Sequence, residues 1–197
     1  KYMRLKKLLD DGALGAVKRV QLENSRYFRT WMYHRSGSWR SSWAGEGGGA
    51  LLNQGQHILD IWQWLFGMPT SIYAVIPYGK YNDFMVDDEA TLLMEYPQQR
   101  TATFILSTGE GSYTERLEIV GTKGTALLEK DTLTLQLESL ELPMIRGLLV
   151  AFNGRVTAGA GNRPYLSVTL QPDEKPLELL QSILKAMAEI LASAEQK

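Results

Sequence analysis

The chain has 197 residues, of which 44% are hydrophobic and 22% are charged, and its net charge is -1 at pH 7. This composition is typical of a globular domain with a sizeable core, and the charge gives no electrostatic reason to expect nucleic acid or an anionic membrane as a partner. The chain has no cysteine, which excludes disulfides, thiol catalysis and thiolate metal sites. The lack of cysteine fits a reducing, cytoplasmic setting, and no apolar run approaches the about 20 residues that cross a bilayer.

The first predicted elements are a helix, a strand and a loop. Leucines near the start have helical spacing, and Gly12 stands where a helix C′ glycine is expected. Because the chain starts inside this helix and without Met, we expect it to be a fragment of a longer protein. Residues 16–33 are rich in valine, leucine and aromatic residues and predict a long strand. Residues 35–49 are rich in serine, glycine, tryptophan and arginine and predict an irregular loop.

A helix and then a series of strands follow. The helix is predicted from Ala50 to Phe66, with one apolar stripe, and Gly67 ends it. Strand patterns then succeed one another up to residue 138, and a further strand is predicted at residues 165–170. Their short connections, such as Pro97–Gln99, suit antiparallel hairpins. An amphipathic helix over residues 176–196 closes the chain, whereas residues 140–161 show no clear pattern.

This order of elements predicts the fold class. Strands that come in a run, with helices before and after them, indicate an α+β fold: an open, mainly antiparallel β-sheet with helices on one face. We expect residues 1–197 to form a single domain of this kind. Its uncovered sheet face would have to meet solvent or another subunit.

The segment Gly45–Gly67, with the sequence GEGGGALLNQGQHILDIWQWLFG, carries the candidate chemistry. On a helix that begins near Ala50, the side chains of Asn53, His57 and Asp60 share one face, distinct from the apolar stripe. Asp60 would be close enough to hydrogen-bond the imidazole and fix its tautomer. The three glycines before the helix would let another backbone or a flat ligand approach closely. The residue types leave two alternatives open, an active site and a structural histidine beside a glycine turn.

Other candidate sites have less support. The second histidine, His34, lies in a separate segment, and the acids Asp87–Glu89 have no matching ligand spacing, so no metal site is predicted. The default interpretation of these acids is a solvated edge or turn. No GxSxG elbow is present, which leaves nucleophilic catalysis without support. Aromatic residues and an arginine in the loop suit stacking on sugar or nicotinamide rings and contact with phosphate, but packing on the sheet explains them as well. They are Trp31, Tyr33, Trp39, Arg40 and Trp43.

Residues 39–69, WRSSWAGEGGGALLNQGQHILDIWQWLFGMP, resemble the signature region of the glucose–fructose oxidoreductase / inositol dehydrogenase (Gfo/Idh/MocA) family. Members carry G-G-x-x-x-[D/N]-x-x-x-H-x-x-D on a helix of their C-terminal domain. The resemblance extends over most of residues 1–138, through LKKLLDDGALGAVKRV, VDDEATLLMEY and ERLEIVGTKGTALLE. It implies an N-terminal Rossmann domain that binds NAD or NADP. No GxGxxG follows a strand in this chain, so the chain is expected to hold the C-terminal domain only, without its Rossmann domain.

The resemblance also implies roles for individual residues. The motif histidine matches His57, which would help to move the proton of a substrate hydroxyl while a hydride passes to or from the nicotinamide. The position four residues earlier is Asp in inositol dehydrogenase-like members and is Asn53 here; since Asn cannot accept a proton, it would orient the substrate by hydrogen bonds. Asp60 matches the last motif residue and would support the histidine. Trp39 and Arg40 match a WR pair that lies near the cofactor in some members.

The predicted function is therefore the substrate-binding and oligomerisation domain of an NAD(P)-dependent oxidoreductase acting on a sugar, a polyol or a derivative of one. A homo-oligomer is expected to form through the open sheet face, and this fragment alone is expected to be inactive. Two alternatives stay open. The domain could be a non-catalytic assembly module, or it could belong to an NAD-dependent glycosidase, since a few family relatives cleave glycosides by a redox–elimination route.

Overall fold

A computed structural model describes residues 1–137, 153–159 and 165–171, together with Lys185, which is helical. The helices are α1 (Tyr2–Asp10), α2 (Trp31–Arg35) and α3 (Gln56–Phe66), and a π-helical turn (Leu51–Gly55) leads directly into α3. The strands are β1 (Val17–Asn24), β2 (Ser71–Val75), β3 (Glu89–Tyr96), β4 (Arg100–Ser107), β5 (Glu115–Gly121), β6 (Gly124–Glu129), β7 (Thr132–Leu137), β8 (Asn153–Gly159) and β9 (Tyr165–Gln171). The chain divides into two compact units, one of Arg19–Leu117 and one of Lys1–Lys18 with Glu118–Lys197.

The unit Arg19–Leu117 is built on strands in the order β2-β3-β4-β1. Neighbouring strands are antiparallel except for β1 and β4, which are parallel. Leu22 and Leu92 both pair with Phe104, so the three side chains lie on one face, and all three are buried. Helix α3 covers this face: the Trp62 ring meets Phe104 edge-on at 5.8 Å, and its Nε1 donates to the Tyr96 hydroxyl over 2.7 Å. The predicted fold class is confirmed.

The start of the helical segment is fixed to the sheet by Asp87. Its Oδ1 accepts from the N–H of Gly49 over 3.0 Å, its Oδ2 accepts from the N–H of Leu51 over 2.6 Å, and its carbonyl oxygen accepts from the N–H of Ala50 over 2.8 Å. The carboxylate thus satisfies N–H groups that a helix start leaves without intrahelical partners. A Cβ atom on Gly49 would lie 2.0 Å from the carbonyl oxygen of Asp87, so only glycine permits this approach.

The prediction that Asp87–Glu89 form a solvated edge or turn is wrong, because all three residues are buried. Asp88 accepts hydrogen bonds from the backbone N–H groups of residues 80, 81 and 82, at 2.7 to 3.2 Å. The carboxylate of Glu89 accepts from Lys80 Nζ over 2.6 and 2.7 Å and from the Tyr81 hydroxyl over 2.8 Å. Enough donors surround each carboxylate to make its burial possible.

The other unit has α1 and strands in the order β5-β6-β7-β9-β8. Helix α1 ends as predicted, with Gly12 at a φ of +70°. The strands β6 and β7 form the predicted antiparallel hairpin, and β9 coincides with the strand predicted at residues 165–170. Strand β8 lies within residues 140–161, for which no element was predicted. The helix predicted over residues 176–196 lies outside the described residues, except for the helical Lys185.

The strand predicted over residues 16–33 ends at Asn24. Local side-chain hydrogen bonds replace the sheet ladder beyond it. The Asn24 side chain accepts from the N–H of Arg26, and Thr30 caps α2 by accepting from the N–H of Tyr33. Such bonds offer the backbone an alternative to extended structure, and they outweigh the β-propensity of the aromatic residues. Within the described part of the chain, no helix is long and apolar enough to cross a membrane.

Replacing Asp87 by Asn should lower the free energy of unfolding by about 1–3 kcal/mol, because an uncharged amide leaves one of two buried backbone N–H groups without an acceptor. Urea denaturation followed by tryptophan fluorescence measures this loss. Asp83→Asn is the matched control, since Asp83 is exposed in the same loop. Equal stability of the two variants would show that the Asp87 carboxylate does not hold the helix start.

Candidate functional site

The candidate site lies where three strand ends meet in the unit Arg19–Leu117. Because β1 and β4 are parallel and β3 is antiparallel to β4, the last residues of β1 and β4 lie beside the first residues of β3. The segment after β1 is held there by the N–H of Arg29, which donates to the Thr108 carbonyl over 2.7 Å. The N–H of Thr108 in turn donates to the Asp88 carbonyl over 2.9 Å. Backbone hydrogen bonds therefore hold the three segments together.

The helical segment presents its polar face as the sequence predicts. Ile58 and Trp62 are buried, while Asn53 is half-buried and His57 and Asp60 are exposed. The first turn is π-helical, which periodicity did not predict and which is frequent at functional sites. Among the described residues, no hydrogen bond or ring contact involves the side chain of His57 or of Asp60. The predicted bond between these two side chains is thus not formed in this structure.

Asn53 belongs to a chain of hydrogen bonds that begins at the other histidine. His34 Nδ1 bonds to the hydroxyl of Ser41, and the N–H of Ser41 donates to Glu46 Oε2 over 2.7 Å. The other oxygen of Glu46 accepts from Asn53 Nδ2. Neither Glu46 nor Ser41 was among the predicted site residues, although an acid among glycines just before the motif helix was a signal that could have identified Glu46.

The surroundings of His34 favour its neutral form. Burial is the largest influence and lowers the pKa of its imidazole below the usual value. The negative charges of Glu46 and Asp88 raise this pKa, and the positive charges of Arg29 and Arg40 lower it further. Its Nε2 atom is buried and has no hydrogen-bond partner within the described structure. Among the described residues, no three His, Asp or Glu side chains are grouped so that they could hold a metal ion.

The loop aromatics form stacks with arginines. The guanidinium of Arg40 lies 4.2 Å from the ring centre of Tyr33 and 4.3 Å from that of Trp39, and its Nη1 donates to the Tyr33 hydroxyl over 2.5 Å. Trp39 remains 47% exposed. Trp43 instead donates from Nε1 to the Met85 carbonyl. The guanidinium of Arg35 lies 3.9 Å from the ring centre of Trp31. The predicted pair of Trp39 and Arg40 is thus in contact, whereas Trp31 and Trp43 have other partners.

A pocket opens between this loop, the start of the helical segment and the loop before β3. It encloses about 260 Å³ of empty space, part of which is open to solvent. Its lining includes the polar side chains of Arg29, His34, Glu46, Gln54 and Asp87. Gln54 lies beside Asn53 in the π-helical turn, so the pocket adjoins the segment that carries the candidate catalytic residues.

Comparisons with known proteins agree with this fold. The protein-family model described as "GFO/IDH/MocA C-terminal domain" matches residues 2–127. The WlbA dehydrogenase from Bordetella pertussis, in complex with NADH and UDP-GlcNAcA, is 23% identical, with a TM-score of 0.59 over 66% of this chain and 41% of that one. Levoglucosan dehydrogenase, in complex with NADH and levoglucosan, is 22% identical, with a TM-score of 0.59 over 72% of this chain and 43% of that one.

An NAD binding oxidoreductase from Klebsiella pneumoniae is 20% identical, with a TM-score of 0.59 over 72% of this chain and 41% of that one. A search of curated proteins finds no significant match. The chain thus spans about two fifths of the length of these solved structures. At this level of identity they show the fold. The family assignment rests on residues 2–127, most of the chain: the chain belongs to the Gfo/Idh/MocA family, as a C-terminal domain.

Proposed function

We propose that this chain is the substrate-binding domain of an NAD(P)-dependent oxidoreductase that acts on a sugar, a polyol or a derivative of one. The observation that carries the proposal is the state of His57. It is exposed and makes no hydrogen bond among the described residues, although it lies on a helix anchored at its start by Asp87. A structural histidine would have its ring nitrogens satisfied. A free imidazole on a rigid support is suited to exchange a proton with a bound ligand.

In the proposed reaction His57 takes the proton of a substrate hydroxyl as the hydride leaves the same carbon, and returns it in the reverse direction. The nicotinamide, when bound, supplies the hydride acceptor or donor. Asn53 donates from Nδ2 to Glu46, and this fixes the amide so that its carbonyl oxygen can accept from a substrate hydroxyl. Asp60 lies one turn beyond His57 on the same exposed face and would orient the imidazolium once substrate binds.

The cofactor, NAD or NADP, would be held mainly by a nucleotide-binding domain outside this chain. The residues present fit a contact with it. The half-exposed indole of Trp39 offers a flat surface, and among the described residues the side chain of Arg40 donates one hydrogen bond, from Nη1 to Tyr33. Its remaining N–H groups are therefore available to a phosphate. Support for the cofactor and the substrate class comes from the WlbA dehydrogenase and levoglucosan dehydrogenase complexes, which contain NADH with UDP-GlcNAcA or with levoglucosan.

We also propose that two copies associate through the open face of the sheet. Leu93 pairs with Tyr73 across β3 and β2, on the face opposite to the buried Leu92. Tyr73 is 70% exposed and Leu93 is 48% exposed, and Val75 on the same face is also exposed. An apolar sheet face of this kind is typical of an interface. An exposed apolar sheet face is equally expected of a non-catalytic assembly module. A measurement of enzymatic activity is therefore needed to distinguish the two functions.

Replacing His57 by Ala in the full-length enzyme should lower turnover by about 10²–10⁴-fold, the usual contribution of general acid–base catalysis. NADH absorbance with the enzyme's own substrate measures it. Gln63→Ala is the matched control, because Gln63 is also exposed on α3. Turnover within a few-fold of wild type would contradict the catalytic role of His57.

Replacing Leu93 by Lys should shift the chain from dimer towards monomer, because the charge would have to be desolvated at the interface. Analytical ultracentrifugation over a range of concentrations measures the shift. Met68→Lys is the control, since Met68 is 68% exposed but lies in the connection after α3. If both variants associate as the wild type does, the open face is not the interface.

A further inference from the structure

Two residues that line the pocket beside the helical segment, Arg29 and His34, each have a buried polar atom without a partner in the described structure, Nε and Nε2 respectively. Buried polar atoms in folded proteins almost always have a hydrogen-bond partner. Two of them on residues that line one pocket indicate that a ligand supplies what the protein does not. This inference rests on the proposed function: the chemical nature of the two atoms bears on the chemical class of the substrate.

Arg29 is held in place without using its hydrogen-bonding capacity. Its guanidinium lies 4.3 Å from the ring centre of Tyr33 and 5.8 Å from that of Tyr27, and its backbone is anchored to Thr108. No hydrogen bond or ion pair of this guanidinium is formed with any residue that the structure describes. Stacking on aromatic rings orients the planar group while leaving its N–H donors at the edge, where they can bind an acidic group in a bidentate manner.

His34 adds a second nitrogen on the same pocket. Its Nδ1 bonds to Ser41, and the Phe84 ring packs against the imidazole at 4.5 Å. When the Ser41 hydroxyl donates to Nδ1, the neutral ring carries its proton on Nε2, which is then a hydrogen-bond donor. This tautomer presents donors from two different segments of the pocket wall, Arg29 and His34.

The acids of the lining do not use up these donors. Both oxygens of Glu46 accept hydrogen bonds, from the N–H of Ser41 and from Asn53. Both oxygens of Asp87 also accept, from the N–H groups of Gly49 and Leu51. The negative charges of the lining are therefore stabilised by donors of their own. The positive charge of Arg29 has no anionic partner among the residues that the structure describes.

We propose that this pocket binds an acidic group of the substrate, a carboxylate or a phosphate, through Arg29 and His34. The pocket is small, because its about 260 Å³ includes space that is open to solvent. It therefore takes one group of the substrate and leaves the reacting carbon outside. Since Gln54 of its wall adjoins Asn53, the rest of the substrate extends towards the helix that carries His57.

Histidine NMR of the 197-residue chain tests this proposal, because the chain has only two histidines and His57 serves as an internal reference. Three probes are compared: glucuronate, glucose 6-phosphate and uncharged glucose. At least one acid should shift the His34 signals and raise the pKa of His34 by about one unit, as a nearby opposite charge favours the imidazolium. Glucose should not do so. A response to only one of the acids identifies the carboxylate or the phosphate as the group bound.

Arg29→Met should weaken binding of the acid at least 10-fold, while Arg35→Met is the matched control. Arg35 carries the same charge on α2 and stacks on Trp31, outside the pocket. Equal binding of glucose and both acids, or acid binding that shifts only His57, would overturn the proposal with the wild-type chain alone. Such a result would leave the proposed function standing, because the test of His57 measures turnover and does not depend on acid binding.

Discussion

The hydrogen bonds of the buried Asp87 carboxylate are the constraint on which the site depends. They join Asp87, two residues before β3, to the first turn of the helical segment, and Gly49 allows the two backbones to meet. A buried carboxylate is stable only when donors surround it, and the N–H groups of a helix start are donors that have no intrahelical partner. Each group thus removes the cost of burying the other. The direction of the helix, and with it the position of His57, follows from this pairing.

The charged groups around the site are satisfied in two different ways. The carboxylates of Glu46, Asp87 and Asp88 accept from N–H groups of the chain, mostly backbone ones, which fixes the loops that surround them. The guanidinium groups of Arg29 and Arg40 lie against aromatic rings instead. Ring contacts leave guanidinium N–H donors free, whereas hydrogen bonds to carboxylates would use them. The carboxylates therefore make the surrounding loops rigid, while the guanidinium groups keep N–H donors that can bind a ligand.

Periodicity predicted the polar face of the helix, and burial agrees, because the sheet on one side forces the apolar residues Ile58 and Trp62 inward. The burial of Asp87–Glu89 could not be predicted, since it depends on donors outside the strand, from the helix start and from residues 80–82. The same holds for Glu46, whose partner Asn53 is seven residues away across a glycine turn. The strand predicted up to residue 33 ends at Asn24 because Asn24 and Thr30 bond to the local backbone. Patterns within one element could be predicted from the sequence, whereas contacts between elements could not.

The site thus separates into two parts with different physical origins. The helix supplies His57, Asn53 and Asp60 at positions set by helical geometry and by the Asp87 anchor; His57 is proposed to move the proton, and Asn53 and Asp60 to orient the groups that take part. The segment after β1 and the glycine loop supply Arg29, His34 and Glu46, which line the pocket proposed to bind a remote group. Loops tolerate change in length and sequence better than the elements they connect. In the proposed function the proton transfer therefore depends on the helix, and the loops are the part that can change with the substrate.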